Sequence, residues 1–359
     1  MRSNFFILIR GTLMGKDSEY YKQLEEKKIM TYRSIISTLP PYAVKYLDDK
    51  KRSSQINTAI NYAHDLTYFF EFLKETNPLL KNTEIKDIPL NLLDQLSFDD
   101  INEYQDYLEL STGDNKHKNI GKSIDRHMSA LRGMYKYLCI NRYLSNDATA
   151  GASKRKKVNK AIIRMDATEV HRFLDVIEDS ALPSNHQSQI CKKTALRDTA
   201  ILTLLLHTGI RVSECVGLDI DDIDFEANTI RIVRKGGDES ILYFDAEVHE
   251  VLESYMDLER PSYMATEDEQ ALFLSNRKKR MAVRSIQEMV QKYAKVAVPN
   301  KKLSPHKMRS TYGTALYKET GDIRLVADVL GHKDINTTAK HYAAIEEEHR
   351  KQAARIKPY

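Results

Sequence analysis

Cationic, imidazole and hydroxyl side chains lie beside helix ends and turns in the second half of the chain, where side chains can point out of a core. The six residues concerned are Arg211, Lys235, His306, Arg309, His332 and Tyr342. Arginine presents a planar fork of N–H donors that suits the nonbridging oxygens of a phosphate. Histidine, lysine and tyrosine transfer protons or act as nucleophiles. These residue types therefore suggest chemistry on a phosphate group.

The segment Ser304–Arg309 is the most specific of these features. Ser304 is placed to cap a helix, Pro305 suits the first helical position, and His306 and Arg309 are spaced to share one helix face. Backbone amides at a helix N-terminus attract anions, so the segment predicts a phosphate seat. A capping histidine beside a solvated arginine is the alternative.

Ordinary structural roles account for the other residues when each is taken alone. Arg211 and Glu214 also form the pattern of a surface ion pair, and a lysine in a turn such as Lys235 is usually solvated. A tyrosine on a helix, as predicted for Tyr342, most often packs in a core or an interface. The chain has 20 tyrosines. The prediction of a site therefore depends on the whole ordered set.

That ordered set resembles the tyrosine recombinases, also called phage-type integrases. The six residues lie in the contexts TGIRVSE, RKGG, SPHKMR, LGH and TTAKHY. Within this family, the chain length and the helical first domain are most similar to the Xer recombinases of the single-protein streptococcal type. Ser310 and Ala344 stand where many relatives have histidine, but neither is one of the six.

The resemblance implies a mechanism without metal, cofactor or ATP. Tyr342 attacks the scissile phosphorus and forms a 3′-phosphotyrosyl link, with His306 as the base and Lys235 as the general acid that protonates the leaving 5′-oxygen. Arg211 and Arg309 bind the nonbridging oxygens, His332 adds a hydrogen bond, and Glu214 orients Arg211 or His306. The partners implied are double-stranded DNA with a specific recombination site and a homotetramer on that DNA, and whether an accessory protein takes part is left open.

The elements that must position these residues predict a mainly α fold with a small β-hairpin or sheet (α+β). The expected organisation is an N-terminal extension over 1–30, a helical DNA-binding domain over 31–145, a basic linker over 146–164, a catalytic domain over 165–345 and a tail over 346–359. The resemblance implies that the two domains form a C-shaped DNA clamp. It also implies that the tail docks on a neighbouring subunit, whereas an ordinary solvated helix is the alternative.

Local patterns place the elements of both domains. Apolar residues recur at helical spacing from Ile56 to Leu73, with Ser53 or Ser54 as the predicted cap, and Ser97 with Asp100 forms a capping box. In the second domain Asp166 and Glu169 form a reciprocal cap, and Arg197–His207 is an apolar helix closed by Gly209. Strands over Thr229–Val233 and Ile241–Phe244 flank a glycine turn, and a helix from Asp322 ends at Gly331.

DNA contacts are predicted from clusters of basic residues, although such a run is usually a solvated face. The predicted residues are Lys116, Lys118, Lys122, Arg126, Lys154, Arg155, Lys156, Lys157, Lys160, Arg164, Lys301, Lys302 and Lys307. The 55 lysines and arginines exceed the 51 acidic residues by only four, so attraction to DNA depends on local clustering.

Composition excludes several other classes of protein. Cys139, Cys191 and Cys215 form no CxxC pair, which argues against a disulfide framework or a structural zinc site. This cysteine usage fits a reducing cytoplasm, and the recombinase resemblance implies association with the nucleoid. No apolar run approaches the roughly 20 residues that cross a bilayer, so we expect no membrane contact. The resemblance implies a site-specific recombinase with an Xer-like role in chromosome dimer resolution. The alternatives left open are a mobile-element integrase or excisionase, a type IB topoisomerase-like nicking and closing enzyme, and a DNA-binding regulator without chemistry.

Overall fold

The computed structural model describes residues 19–110, 120–153, 163–178, 193–234, 237–266, 269–332 and 335. The chain divides into two compact units, one of residues Glu19–Asn159 and one from Lys160 onward. Most of the described residues are helical, and the strands form one small antiparallel sheet in the second unit. The predicted α+β class is confirmed. The predicted domain bounds stay predictions.

The first unit is built from helices around one apolar core. These helices are α1 Glu19–Ile36, α2 Pro41–Ser53, α3 Ile56–Thr76, α4 Leu90–Gln95, α5 Phe98–Leu110 and α6 Ile120–Ile140. The long helix α3 is central, because it packs against α1, α2 and α6. Its predicted stripe is buried at Leu66, Phe69, Phe70 and Leu73. Burial of this stripe stabilises the unit through the hydrophobic effect.

The helix caps of this unit agree with the sequence at one position and differ at another. Ser97 and Asp100 form the predicted capping box, since the Ser97 N–H donates to the Asp100 carboxylate at 2.7 Å and the Asp100 N–H donates to the Ser97 hydroxyl at 3.3 Å. Helix α3, however, starts after Gln55. The hydroxyl of Ser54 instead donates to the Lys50 carbonyl at the end of α2.

The structure also differs from the expected N-terminal extension over residues 1–30, because α1 begins at Glu19. Tyr32 is the buried side chain of α1 among the described residues, and its hydroxyl donates to Asp48 at 3.0 Å. The helix packs against α3, and the half-buried residues Leu24, Lys28 and Ile35 lie at helical spacing with Tyr32. The first eighteen residues lie outside the described part.

The second unit places short helices around one buried helix. Its helices are α7 Ala167–Glu178, α8 Ala195–Thr208, α9 Val212–Gly217, α10 Ala246–Ser254, α11 Arg260–Tyr263, α12 Val283–Ala297, α13 Pro305–Thr320 and α14 Ile323–Val329. The helix α8 is buried along most of its length and packs against α7, α10 and α13. The site residues described below lie on elements that pack against α8 or follow it in the chain.

Two of the sequence signals in this unit are confirmed. Gly209 ends α8 with φ of 61°, a left-handed conformation that favours glycine. A Cβ at this position would lie 2.5 Å from the ring of Tyr312, so the space excludes a side chain as well. Asp166 and Glu169 form the predicted reciprocal cap at 2.8 and 2.9 Å.

The sheet has three antiparallel strands in the order β1 Ile223–Asp224, β2 Thr229–Val233 and β3 Glu239–Tyr243. The predicted hairpin is β2 with β3, in which Ile230 pairs with Leu242 and both side chains face the core. The sequence does not signal β1, which is too short for an alternating pattern. Among the described helices of both units, none is long and apolar enough to span a bilayer.

Candidate active site

The end of helix α14 is the point at which the site residues meet. The helix is capped by Asp322, whose carboxylate accepts from the backbone N–H groups of Arg324 and Leu325. It closes at Gly331, which has φ of 58°. The last carbonyl groups of a helix have no partners within it and carry the negative end of the helix dipole. These carbonyls therefore attract cationic side chains.

Arg211 reaches this helix end from the turn between α8 and α9. Its Nη2 donates to the carbonyl oxygens of Gly331 at 3.0 Å and Leu330 at 3.3 Å. Its Nη1 donates to Oε1 of Glu214 at 2.7 Å, and the other Glu214 oxygen accepts from the Arg211 backbone N–H at 2.9 Å. Glu214 is only 3% exposed. The predicted pairing with Glu214 is therefore present, and it fixes the guanidinium in one orientation.

Arg309 reaches the same helix end from α13. Its guanidinium donates to the carbonyl oxygens of Gly209 and Leu330. The residue is 4% exposed, and it connects the end of α8 with the end of α14. A guanidinium is not deprotonated in proteins. The site therefore holds a permanent positive charge next to Arg211.

Arg211 and Arg309 share the carbonyl oxygen of Leu330 as an acceptor. Two guanidinium groups bonded to one oxygen lie side by side, although they are about 100 residues apart in the chain. Like charges repel, and the carbonyls at the helix end together with Glu214 offset that repulsion. Guanidinium groups are the side chains whose geometry suits the oxygens of a phosphate.

The two predicted histidines lie at different parts of the arrangement. His332 follows Gly331 directly, and its backbone N–H donates to the carbonyl of Ala327 at 2.8 Å, which fixes the turn. His306 lies exposed in the first turn of α13, three residues before Arg309. Pro305 occupies the predicted first helical position, but the side chain of Ser304 makes no capping hydrogen bond.

Arg234 is a further cation of this site that the sequence reasoning missed. Its Nη2 donates to the carbonyl oxygen of Val329 at 2.9 Å. A Cβ on Gly331 would lie only 2.5 to 2.9 Å from the Arg234 guanidinium, so the group packs directly on the glycine. Three guanidinium groups thus meet the carbonyls of Val329, Leu330 and Gly331. The only sequence signal was an arginine at a strand end immediately before Lys235.

Two of the six predicted residues, Lys235 and Tyr342, lie outside the described residues. The same holds for the tail over 346–359 and for several predicted DNA contacts. Those contacts are Lys116, Lys118, the side chain of Lys122, Lys154, Arg155, Lys156, Lys157 and Lys160.

Three predicted DNA contacts near the start of α13 differ in their surroundings. Lys302 is exposed and Lys307 is half-buried on the surface. Lys301 instead donates to Glu169 at 2.5 Å and to the backbone carbonyl of Arg164 at 2.9 Å. Acidic partners therefore compensate part of the predicted basic surface.

Arg126, another predicted DNA contact, holds a buried carboxylate of the first unit. It binds both oxygens of Asp65 at 2.8 Å, and the Nδ1 of His127 lies 3.2 Å from the same carboxylate. The Arg126 side chain is 45% exposed, whereas Asp65 has no exposed surface. The structure thus assigns Arg126 a local role, and its contact with DNA stays a prediction.

The described part of the chain contains no cluster of residues that could bind a metal ion. Groups of three or more potential ligands are absent there. Cys139 is half-buried and Cys215 buried, each as a free thiol. Burial raises the pKa of the Cys215 thiol, with the Glu214 carboxylate adding to the effect. A thiol with a raised pKa is a poor nucleophile at neutral pH.

Comparison with known proteins places this arrangement in a family. Residues 164–349 match the phage integrase family, and residues 38–158 match the phage integrase SAM-like domain. The chain belongs to the phage integrase family. The tyrosine recombinase resemblance inferred from the motifs is thereby confirmed. The family match contains all six residues of the predicted catalytic set.

Relatives of this integrase-family chain include the tyrosine recombinase XerS of Streptococcus pyogenes serotype M5 (strain Manfredo). That protein is 30% identical over 345 residues, which cover 88% of this chain and 94% of XerS. The fold is similar to XerH site-specific recombinase bound to a palindromic difH substrate, with a TM-score of 0.63 and 22% identity over 86% of this chain and 82% of that one. It is also similar to a lambda integrase dimer bound to a COC′ core site, with a TM-score of 0.58 and 14% identity over 84% of this chain and 93% of that one.

Proposed function

We propose that this chain is a site-specific recombinase that cuts and rejoins double-stranded DNA through a tyrosine nucleophile. The observation that carries the proposal is the convergence of Arg211 and Arg309 on the carbonyl oxygen of Leu330, one residue before the turn that bears His332. This pair of guanidinium groups suits the two nonbridging oxygens of one phosphodiester. The family membership and the DNA-bound relatives support the same substrate.

In the proposed cleavage step, the Tyr342 oxygen forms a bond to the scissile phosphorus and the bond to the 5′-oxygen breaks. The phenol proton passes to His306, and Lys235 delivers a proton to the leaving 5′-oxygen. The products are a 3′-phosphotyrosyl enzyme and a free 5′-hydroxyl. Full deprotonation of a tyrosine with pKa near 10 costs about 4 kcal/mol at pH 7, so the step needs a base and a cationic surrounding.

The second step reverses the first with a different strand. The 5′-hydroxyl of the partner duplex attacks the phosphotyrosyl phosphorus and releases Tyr342. One phosphoester replaces another of similar energy, so the reaction as proposed needs neither ATP nor a metal ion. Exchange between two duplexes passes through a Holliday junction and requires four active sites, and we infer a homotetramer on DNA.

Arg211 and Arg309 stabilise the transition state electrostatically. Charge grows on the nonbridging oxygens during attack, and the guanidinium groups are already held in place next to that charge by Glu214, Gly209 and Leu330. Removing one such preorganised donor typically slows catalysis by about 10²- to 10³-fold. The rigid hydrogen bonding of both arginines therefore has a kinetic consequence.

The proposed cellular role is Xer-type resolution of chromosome dimers. The similarity to XerS over most of both chains supports this role. A mobile-element integrase is the alternative, because the same chemistry serves both. Trapping the protein on fragmented host DNA and sequencing the attached fragments separates them: we expect one chromosomal site, whereas sites at the two ends of an element would favour the alternative.

The reaction itself is tested by covalent trapping on the recovered DNA. Wild-type protein mixed with labelled duplex that carries a nick near the cut site should give a band that survives denaturation and disappears after protease treatment. The variant Tyr342→Phe should bind the duplex and give no such band. The matched control is Tyr243→Phe, an exposed tyrosine of β3 that is 77% exposed and should trap like wild type.

Three results would contradict the proposal. Covalent trapping by Tyr342→Phe would assign the nucleophile to another residue. Binding of DNA by wild-type protein without covalent product would favour a regulator without chemistry. Relaxed topoisomers from a supercoiled plasmid, with no recombinants from two site-bearing duplexes, would favour a type IB topoisomerase-like activity.

A further inference from the structure

Arg234 is held at the junction of the hairpin and the end of α14 by contacts at both ends of the residue. Its backbone N–H donates to the carbonyl of Asp238 at 2.7 Å, and its own carbonyl accepts from Gly237 at 2.9 Å. Its guanidinium donates to the carbonyl of Val329 at 2.9 Å and makes a long contact of 3.4 Å with the Ser240 hydroxyl. The residue thus ties β2 and β3 to the helix end.

The charge of Arg234 is incompletely satisfied within the described structure. Its Nη1 is buried and has no hydrogen-bond partner there. Neither of its side-chain partners is a carboxylate. Burial lowers the pKa of the Arg234 guanidinium, and the neighbouring Arg211 lowers it further, whereas Glu214 and Asp328 act in the opposite direction. A half-buried cation with a buried, unpaired donor destabilises a fold, so a role in folding alone does not explain it.

The position of the guanidinium points to the residues on which it acts. It packs on Gly331, whose carbonyl accepts from Arg211 and whose chain neighbour is His332. The chain at Gly331 is left-handed and carries no side chain that limits its movement. The planar Arg234 group fills that space. It therefore restricts the turn that supports both Arg211 and His332.

We propose that Arg234 is a positioning residue that clamps the Gly331–His332 turn and so keeps Arg211 and His332 directed at the nonbridging oxygens of the scissile phosphate. The inference rests on the proposed recombinase function. It assigns Arg234 no contact with DNA. A shift of about 1 Å in a group that stabilises the transition state can slow a reaction about 100-fold, so a clamp of this kind affects the rate strongly.

The test compares Arg234→Ala with Arg231→Ala on two substrates. Arg231 lies on β2, three residues before Arg234, and its guanidinium donates to Asp222 and to the carbonyl of Asp221. One substrate is the ordinary nicked duplex. In the other, a methylphosphonate replaces the scissile phosphate, so that a methyl group takes the place of one charged nonbridging oxygen. Cleavage rate and DNA affinity are measured for each variant.

We expect Arg234→Ala to cleave the ordinary substrate about 10- to 100-fold more slowly than wild type, with unchanged DNA affinity. The loss should shrink severalfold on one methylphosphonate isomer, because less charge then requires stabilisation. Arg231→Ala should cleave both substrates like wild type. The variant Arg234→Lys, which keeps the charge without the planar fork, should fall between wild type and Arg234→Ala with the same substrate preference.

Other outcomes overturn the inference. Equal losses on both substrates would assign Arg234 a purely structural role, and rates equal to those of Arg231→Ala would assign it none. If Arg234→Ala does not fold, Arg234→Lys replaces it in the test. Cleavage by Arg234→Lys at the wild-type rate, or with equal losses on the two substrates, then overturns the inference. Wild-type protein that cleaves neither substrate would instead refute the proposed function, so the two failures are distinguishable.

Discussion

Substitution of Gly331 by alanine tests the clamp from the opposite side. The matched control is Gly321→Ala, because both glycines end helices in the left-handed region, at φ of 58° and 65°. A Cβ at Gly321 would have nothing within 4 Å, whereas one at Gly331 would lie 2.5 Å from the Nη1 of Arg234. Both substitutions therefore place alanine in an unfavourable backbone conformation, but only Gly331→Ala also brings a methyl group against the Arg234 guanidinium.

The magnitudes follow from these two terms. Alanine in place of glycine in left-handed backbone costs roughly 1 kcal/mol, so both variants should lose a similar free energy of unfolding and about 2–4 °C in melting temperature. The clash at Gly331 is with the end of a flexible side chain, so the fold survives and Arg234 is displaced. We therefore expect cleavage by Gly331→Ala to slow about 10- to 100-fold while Gly321→Ala keeps the wild-type rate.

The assay is single-turnover cleavage of the nicked duplex, with thermal unfolding measured on the same preparations. The double variant Arg234→Ala with Gly331→Ala completes a cycle, and it should cleave no more slowly than Arg234→Ala alone, because the added methyl group then meets no guanidinium. Equal cleavage rates for Gly331→Ala and Gly321→Ala would refute the reasoning, as would strictly additive losses in the double variant.

Three further predictions concern stability and thiol reactivity. Arg126→Ala leaves the buried Asp65 carboxylate without its main partner and should lower the free energy of unfolding of the first unit by about 2 kcal/mol, as measured by urea denaturation. The expected loss is smaller than for a fully buried ion pair because Arg126 is half exposed. Asp245 caps α10, so Asp245→Ala should cost about 1 kcal/mol at pH 7. Burial raises the pKa of Asp245, but hydrogen bonds from a backbone N–H of its helix and from His207 together lower this pKa below its usual value. The stabilising contribution of Asp245 is therefore present at neutral pH and is lost as the pH falls through the folded-state pKa. Cys215 should react with an alkylating reagent only upon unfolding, since its thiol is buried and its pKa is raised, and peptide mapping by mass spectrometry reads this out.

Each of these predictions has a result that contradicts it. Wild-type stability in Arg126→Ala would mean that solvent already compensates the Asp65 carboxylate. A stability difference between wild type and Asp245→Ala that grows as the pH falls would reverse the expected sign. Labelling of Cys215 in the folded protein at the rate of an unfolded peptide would show that α9 opens readily.

Sequence patterns that involve residues a few positions apart, such as helix caps, predicted most of the local structure. The capping pairs Ser97 with Asp100 and Asp166 with Glu169, and the helix-ending Gly209, all form as their types and spacing indicated. Each depends on atoms a few residues apart, which a sequence displays directly. The helix Glu19–Ile36 was not predicted, although it packs against α3.

The organisation of the candidate site could be predicted only in part. The motifs indicated that Arg211, Arg309 and His332 belong together, but they did not show that main-chain oxygens at the end of α14 hold the arginines. Those contacts join residues 21 to 120 positions apart, and no local pattern encodes them. The role of Arg234 was hidden for the same reason, since its partner Val329 is 95 positions away.

All three guanidinium groups are anchored on peptide oxygens, and every amino acid supplies a peptide oxygen. Exchange of the half-buried Val329 for another helix-compatible residue thus leaves its acceptor in place, whereas Gly331 has no substitute that spares the space for Arg234. Related chains can therefore vary at the residues whose peptide oxygens hold the arginines. The three arginines and Gly331 are the positions that this arrangement requires to be retained.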